Sequence, residues 1–113
     1  MIFLRNPSVY HGGKNKRPFF EGWYHKLVTG DGQSLAIIPG IYRSGFNNNQ
    51  TAFIMIFDGD KGNVFYEQFE VQQFSCSTSS YSLHIGSNYF SSEKIILDIE
   101  SETLTIKGQV TAD

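Results

Sequence analysis

Arg17-Pro18-Phe19-Phe20-Glu21-Gly22-Trp23-Tyr24-His25-Lys26-Leu27-Val28 decides how this chain is read. The stretch holds the only Trp, two of the ten Phe and one of the three His, with a carboxylate and a glycine set among the rings. Pro18 has no N–H to give to a ladder, so a strand starts at or just after it. Alternation at a period of two puts Glu21, Trp23, His25 and Leu27 on one face. Phe20, Gly22, Tyr24, Lys26 and Val28 fall on the other. A glycine inside a strand marks a bulge, a bend or a close approach. The stretch therefore reads as a bent aromatic strand with an acid beside its kink.

Outward from it, the chain keeps a rhythm of strands and turns. Residues 1 to 18 look irregular, broken by Pro7, Gly12, Gly13 and Pro18. Thr29-Gly30-Asp31-Gly32 is a turn by composition. Ser34 to Ile38 is a short strand ended by Pro39-Gly40, with Ile41-Tyr42-Arg43 as its continuation past a bulge. Thr51 to Asp58 is the most apolar strand, and Ala52 to Phe57 is unbroken. Apolar side chains on both faces imply burial on both faces. One face would line a barrel interior, and the other needs cover from a second domain, another copy of the chain or a membrane surface.

Asp58 to Asn63 is a hairpin loop; its glycine falls at the wrong position for a calcium loop. Val64 to Val71 alternates and sets Glu67 between Phe65 and Phe69. Tyr81, Leu83 and Ile85 alternate, as do Ile95, Leu97 and Ile99, and then Leu104 and Ile106. No window keeps a helical period. About seven to nine strands joined by short turns argue for a single all-β domain over residues 1–113, a barrel or sandwich with little helix. The last strand ends with an unpaired edge, which invites another chain.

With 113 residues the chain is long enough for one domain. Aromatics make up 15% and supply core volume that a modest aliphatic count does not. The net charge of −2 gives no strong field. Lys14, Lys16 and Arg17 read as a solvated turn, with a phosphate or anionic lipid surface as the alternative. Nucleic-acid binding is disfavoured, because basic residues do not interleave with aromatics on a strand face. Cys76 is alone, so there is no intrachain disulfide and no thiolate metal cluster. His11, His25 and His84 have no metal-ligand spacing, and no motif calls for a cofactor. No apolar run is long enough for a leader or a membrane span. Together these features fit a cytoplasmic protein, with a membrane-peripheral one as the alternative.

Tyr10-His11-Gly12, the basic spacer Lys14 to Arg17, and Pro18-Phe19-Phe20-Glu21-Gly22-Trp23-Tyr24-His25-Lys26-Leu27 together resemble the N-terminal signature of the tocopherol cyclase-like family. Ile37-Ile38-Pro39-Gly40 is similar to the next element of its bacterial members. The resemblance covers roughly the first 40 residues. It implies a lipocalin-like antiparallel β-barrel, one half of a double barrel. It also implies that a chain stopping at Asp113 is the N-terminal portion of such a protein or a truncated copy, completed by a C-terminal domain or a homodimer.

A barrel of about eight strands holds one small apolar ligand, such as a prenyl chain, a quinol or a fatty acid. Phe20, Trp23, His25, Phe53 and Met55 are the candidate walls. The chemistry that the resemblance implies, addition to an alkene as in a cyclase or a hydratase, needs an acid for the alkene and a base for the departing proton. Glu21 is the candidate acid, since a carboxyl in an apolar pocket holds its proton. Tyr24 is its relay if a bulge at Gly22 brings the two together, and His11 or Asp58 is the second titrating group. The alternatives are a carrier of a hydrophobic ligand without catalysis, and a partial domain that dimerises.

Overall fold

The computed structural model describes residues 2–4, 19–28, 32–43, 50–77, 79–102 and 104–111. Eleven strands form among them: β1 (Ile2–Leu4), β2 (Phe19–Gly22), β3 (His25–Val28), β4 (Ser34–Arg43), β5 (Gln50–Asp58), β6 (Val64–Glu70), β7 (Phe74–Cys76), β8 (Ser82–Ile85), β9 (Asn88–Ser91), β10 (Lys94–Glu100) and β11 (Thr105–Thr111). The only helical element among these residues is one 3-10 turn, Val71–Gln73. The first sheet runs β1-β3-β4-β5-β6, with β2 also paired to β4; the second runs β11-β10-β9-β8-β7. All pairings are antiparallel.

The expected barrel, lipocalin-like and closed, is not what forms. Two open sheets face one another, and among the described residues no strand of one hydrogen-bonds to a strand of the other. The first sheet ends at β1 and β6, the second at β11 and β7. The break lies at the 3-10 turn after β6. Glu70 and Gln73 cap it reciprocally, and the chain leaves it to pair β7 with β8. Inside-outside alternation is the same in a sandwich and in a barrel, so the hydrophobic pattern does not tell them apart. The strand count also exceeds the expected seven to nine, because β1 forms in the segment read as irregular and β2–β3 divide one strand in two.

That division comes from Pro39, not from a bulge at Gly22. Gly22 pairs with Gly40, and His25 pairs with Ile37. Two residues lie between the pairs on each side, so β2 and β3 share one register and no extra residue is inserted. Trp23 N–H donates to the Pro39 carbonyl at 2.9 Å. Pro39 has no N–H to return, and the ladder lapses there. In an antiparallel strand both backbone groups of a residue point to the same neighbour. Pro39 therefore withholds a bond from Trp23 and none from β5, where Ile38, Pro39 and Gly40 pair unbroken with Met55, Ile54 and Phe53. This is how β4 runs on through the Pro39-Gly40 that was expected to end it.

The core lies between the sheets. Trp23, Leu27, Ile37, Ala52, Ile54 and Ile56 come from the first, and Leu83, Ile85, Phe90, Ile95, Leu97 and Ile99 from the second. Each fully buried aliphatic side chain contributes roughly 1.5–3 kcal/mol. The expected alternation of β8 and β10 is the one found. On β6, Phe65, Glu67 and Phe69 share the inward parity, and the Ser101 hydroxyl donates to Glu67 Oε1 at 2.6 Å. That bond ties the edge of the first sheet to the β10–β11 connection.

Gly40 permits a close approach. A Cβ there would overlap the Phe53 ring and stand 2.5 Å from the Glu21 carbonyl oxygen. Gly40→Ala is expected to lower the unfolding free energy by about 2 kcal/mol or more, as overpacking does. Gly108→Ala, where nothing lies within 4 Å of the added atom, should stay within about 0.5 kcal/mol of the parent. Urea denaturation of the two variants checks the contrast.

Candidate functional site

The shared register of β2 and β3 divides the candidate residues between the two faces of the first sheet. Glu21, Trp23 and His25 have the inward parity of their partners Ile41 and Ile37. Phe20, Tyr24, Phe53 and Met55 have the outward parity.

Inside, Trp23 and His25 are fully buried in a cluster of rings. Trp23 lies 6.4 Å from Phe74 and 6.1 Å from Tyr81 between ring centroids; His25 lies 5.5 Å from Tyr81 and 5.4 Å from Phe90. His25 Nδ1 is 3.3 Å from the Ile37 carbonyl oxygen, and Nε2 is 2.8 Å from the Tyr81 hydroxyl. A carbonyl only accepts, so Nδ1 carries the hydrogen and Nε2 accepts from the phenol. Both polar ends of the imidazole are thereby satisfied in the neutral form. Burial lowers the His25 pKa from 6.5 to about 4, against the smaller opposing effect of its backbone hydrogen bonds to Ile37 and Trp23. Burial likewise pushes the Tyr81 phenol up, helped by the nearby Cys76. The pair is a neutral, satisfied bridge between the sheets.

The acids do not converge. Glu21 is half-buried with inward parity, and Tyr24 is on the other side of the sheet. The bulge that would unite them is absent from the described ladder. Asp58 closes the β5–β6 turn: its Oδ1 accepts the Asp60 and Lys61 N–H groups at 3.0 and 3.2 Å. His11 and the basic run Lys14 to Arg17 lie outside the described residues. Among the described residues no group of three or more His, Cys, Asp or Glu is placed to hold a metal ion. Nor is any helix there long and apolar enough to cross a membrane.

The outward face carries the unusual surface. Its residues fall in rows across β2–β3, β4, β5 and β6. Phe20, Tyr42, Thr51 and Glu70 form one row, and Gly22, Gly40, Phe53 and Gln68 the next. Tyr24, Ile38, Met55 and Tyr66 follow, then Lys26, Ala36, Phe57 and Val64. Phe53 crosses the space left by Gly40 and stacks between Phe20, at 5.2 Å, and Tyr66, at 5.7 Å. These rings cover Phe53 so that 1% of it is exposed, yet they themselves remain open at 63% and 47%. Tyr42 and Val64 are exposed beside them. The two-faced apolar character of β5 is therefore met by core on one side and by this aromatic layer on the other.

Alternation places Phe20, Phe53 and Met55 here rather than beside Trp23 and His25, so the five candidate wall residues do not form one pocket. Tyr42 and Tyr66 were missed as surface partners, although strand parity puts them beside Phe20, Tyr24 and Lys26 once β4, β5 and β6 are in register. Tyr81 was missed as the partner of His25. The two are 56 residues apart, and no local signal links them.

No family model, curated protein or solved structure matches this chain.

The buried imidazole sets a pH dependence. The unfolded chain takes up a proton at His25 near pH 6.5, the folded one only near 4. Below 6.5 the unfolded state binds more protons, so this contribution is complete above that pH and is lost on descending towards 4. The interval corresponds to about 3 kcal/mol. Subtracting the stability profile of His25→Gln from that of the parent should leave this slope between pH 6.5 and 4. NMR should find no native-state protonation of His25 until pH approaches 4; titration near 6.5 would contradict the assignment.

Proposed function

We propose that this chain is a binding module for an apolar small molecule of prenyl or quinol type, held on the outward face of the first sheet. The observation that carries the reading is the stacked ladder Phe20–Phe53–Tyr66, two of whose rings stay largely exposed. Isolated exposed apolar side chains are ordinary; a contiguous patch spread over β2, β4, β5 and β6 marks a contact surface. Ring faces suit flat quinols and the π-bonds of prenyl chains, and Ile38, Met55 and Phe57 extend the apolar floor. The resemblance of the Phe19–Leu27 stretch to tocopherol cyclase-like proteins points to the same class of ligand.

Carriage accounts for these residues better than acid catalysis. Addition to an alkene needs an acid and a base at one ligand. Glu21 and Tyr24 are on opposite sides of a continuous sheet, and Asp58 serves a turn. The patch offers contact area without that pair.

Native mass spectrometry of the purified protein, before and after organic extraction, tests the reading. A co-purified prenyl, quinone or similar apolar species is expected, with its occupancy reduced at least tenfold in a Phe20→Ser, Tyr66→Ser double variant whose melting curve stays close to the parent's. An empty protein running as a dimer, with that double variant monomeric, would instead make the face an assembly surface.

A further inference from the structure

One end of the outward face differs from the rest. A trough of about 520 Å³ opens there, lined by Tyr24, Ala36, Ile38 and Phe57, with Lys26, Ser34 and Gly59 also bordering it. Its depth comes from the row Lys26–Ala36–Phe57: a methyl group separates two long side chains, and the surface dips between them. Lys26 is exposed and is the only cation among the described residues of this face. The ion pair among the described residues is elsewhere, between Lys107 and Glu100. Glu70 stands at the diagonally opposite corner, engaged in capping the 3-10 turn. Asp60, at the Ser34 end, accepts the Ser34 N–H through its carboxylate at 3.2 Å.

We infer that this trough takes the carboxylate head of a monomeric, acid-headed amphiphile, with the Lys26 ammonium as its counter-ion and the chain lying over Ile38 and Phe57 towards Met55 and Tyr66. The inference rests on the proposed binding of an apolar molecule at this face and adds the chemistry of its head group. Among the described residues Lys26 is a single ammonium at the end of an apolar floor, and it complements one anionic head on one chain. It is poorly matched to a bilayer, since retention on anionic lipid takes clusters of about four to eight basic residues. A lysine also keeps its stem on the apolar floor while its head stays in water, which sets the charge at the rim.

Dodecanoate and dodecanol, both as monomers, share a chain and differ in the head. Titration of the full chain with each, followed by backbone amide NMR, tests the inference. Dodecanoate is expected to bind about fivefold more tightly at low salt, with the margin shrinking as salt is added. Lys26→Gln should remove that margin, bringing the two affinities within about twofold of one another, and Lys26→Arg should restore it. Equal affinities, with no effect of Lys26→Gln, would overturn the head-group inference while leaving apolar binding intact. If neither compound binds, the head-group inference falls, and the native mass spectrometry decides separately whether a prenyl or quinol species occupies the face. Binding to phosphatidylglycerol vesicles without binding to the monomers would assign the face to a bilayer and overturn the inference as well.

Discussion

The hydrogen bond from Trp23 N–H to the Pro39 carbonyl carries the first sheet across its weakest point. Pro39 sits in a strand flanked on both sides, a position that ordinarily excludes proline. It is tolerated because its missing donor faces only Trp23, and because its carbonyl still accepts. Through that bond β2 and β3 stay in one register against β4. A slip of one residue would exchange the two faces completely. Trp23 and His25 would turn to solvent, and Phe20, Tyr24 and Lys26 would turn into the core. The ring cluster inside and the aromatic layer outside are thus two consequences of one backbone constraint.

Within that register the two faces have separate physical tasks. The inward face is filled and polar-satisfied: His25 is neutral, bonded at both nitrogens, and braced by Tyr81 from the segment that leads into β8. A buried imidazole with both partners in place stabilises the sandwich and has no spare capacity for a ligand. The outward face is apolar without being filled. Phe53 is covered by the stacked rings of Phe20 and Tyr66, which themselves stay largely exposed.

Much of this was legible in the residues. Period-two alternation identified the inward set Trp23, His25 and Leu27, the paired runs Ile95–Ile99 and Leu104–Ile106, and the position of Glu67 between Phe65 and Phe69. The unbroken apolar run of β5 announced a sheet that needs cover on both sides. Closure was not legible, because the alternation that fits a barrel also fits two open sheets, and the deciding event is one 3-10 turn at Val71–Gln73. Gly22 was read as a kink because glycine in a strand often is one. It pairs instead with Gly40 in an unbulged register, and the missing side chain of Gly40 is what lets Phe53 lie across the sheet; a Cβ at Gly22 would meet Ile38 and Phe20. The split of the candidate site between two faces follows from the same parity that was read correctly. What the residues did not disclose was that no bulge would reunite Glu21 with Tyr24, or that Tyr81, far along the chain, would claim His25.

The first sheet has one sealed face and one open face. Solvent paramagnetic broadening of side-chain NMR signals by a neutral nitroxide, on protein freed of bound lipid, measures this most directly. Strong broadening of Phe20, Tyr66 and Val64 is expected, together with protection of Trp23, Ile37 and Ile54. Protection of both sets, or broadening of the Trp23 indole, would contradict it.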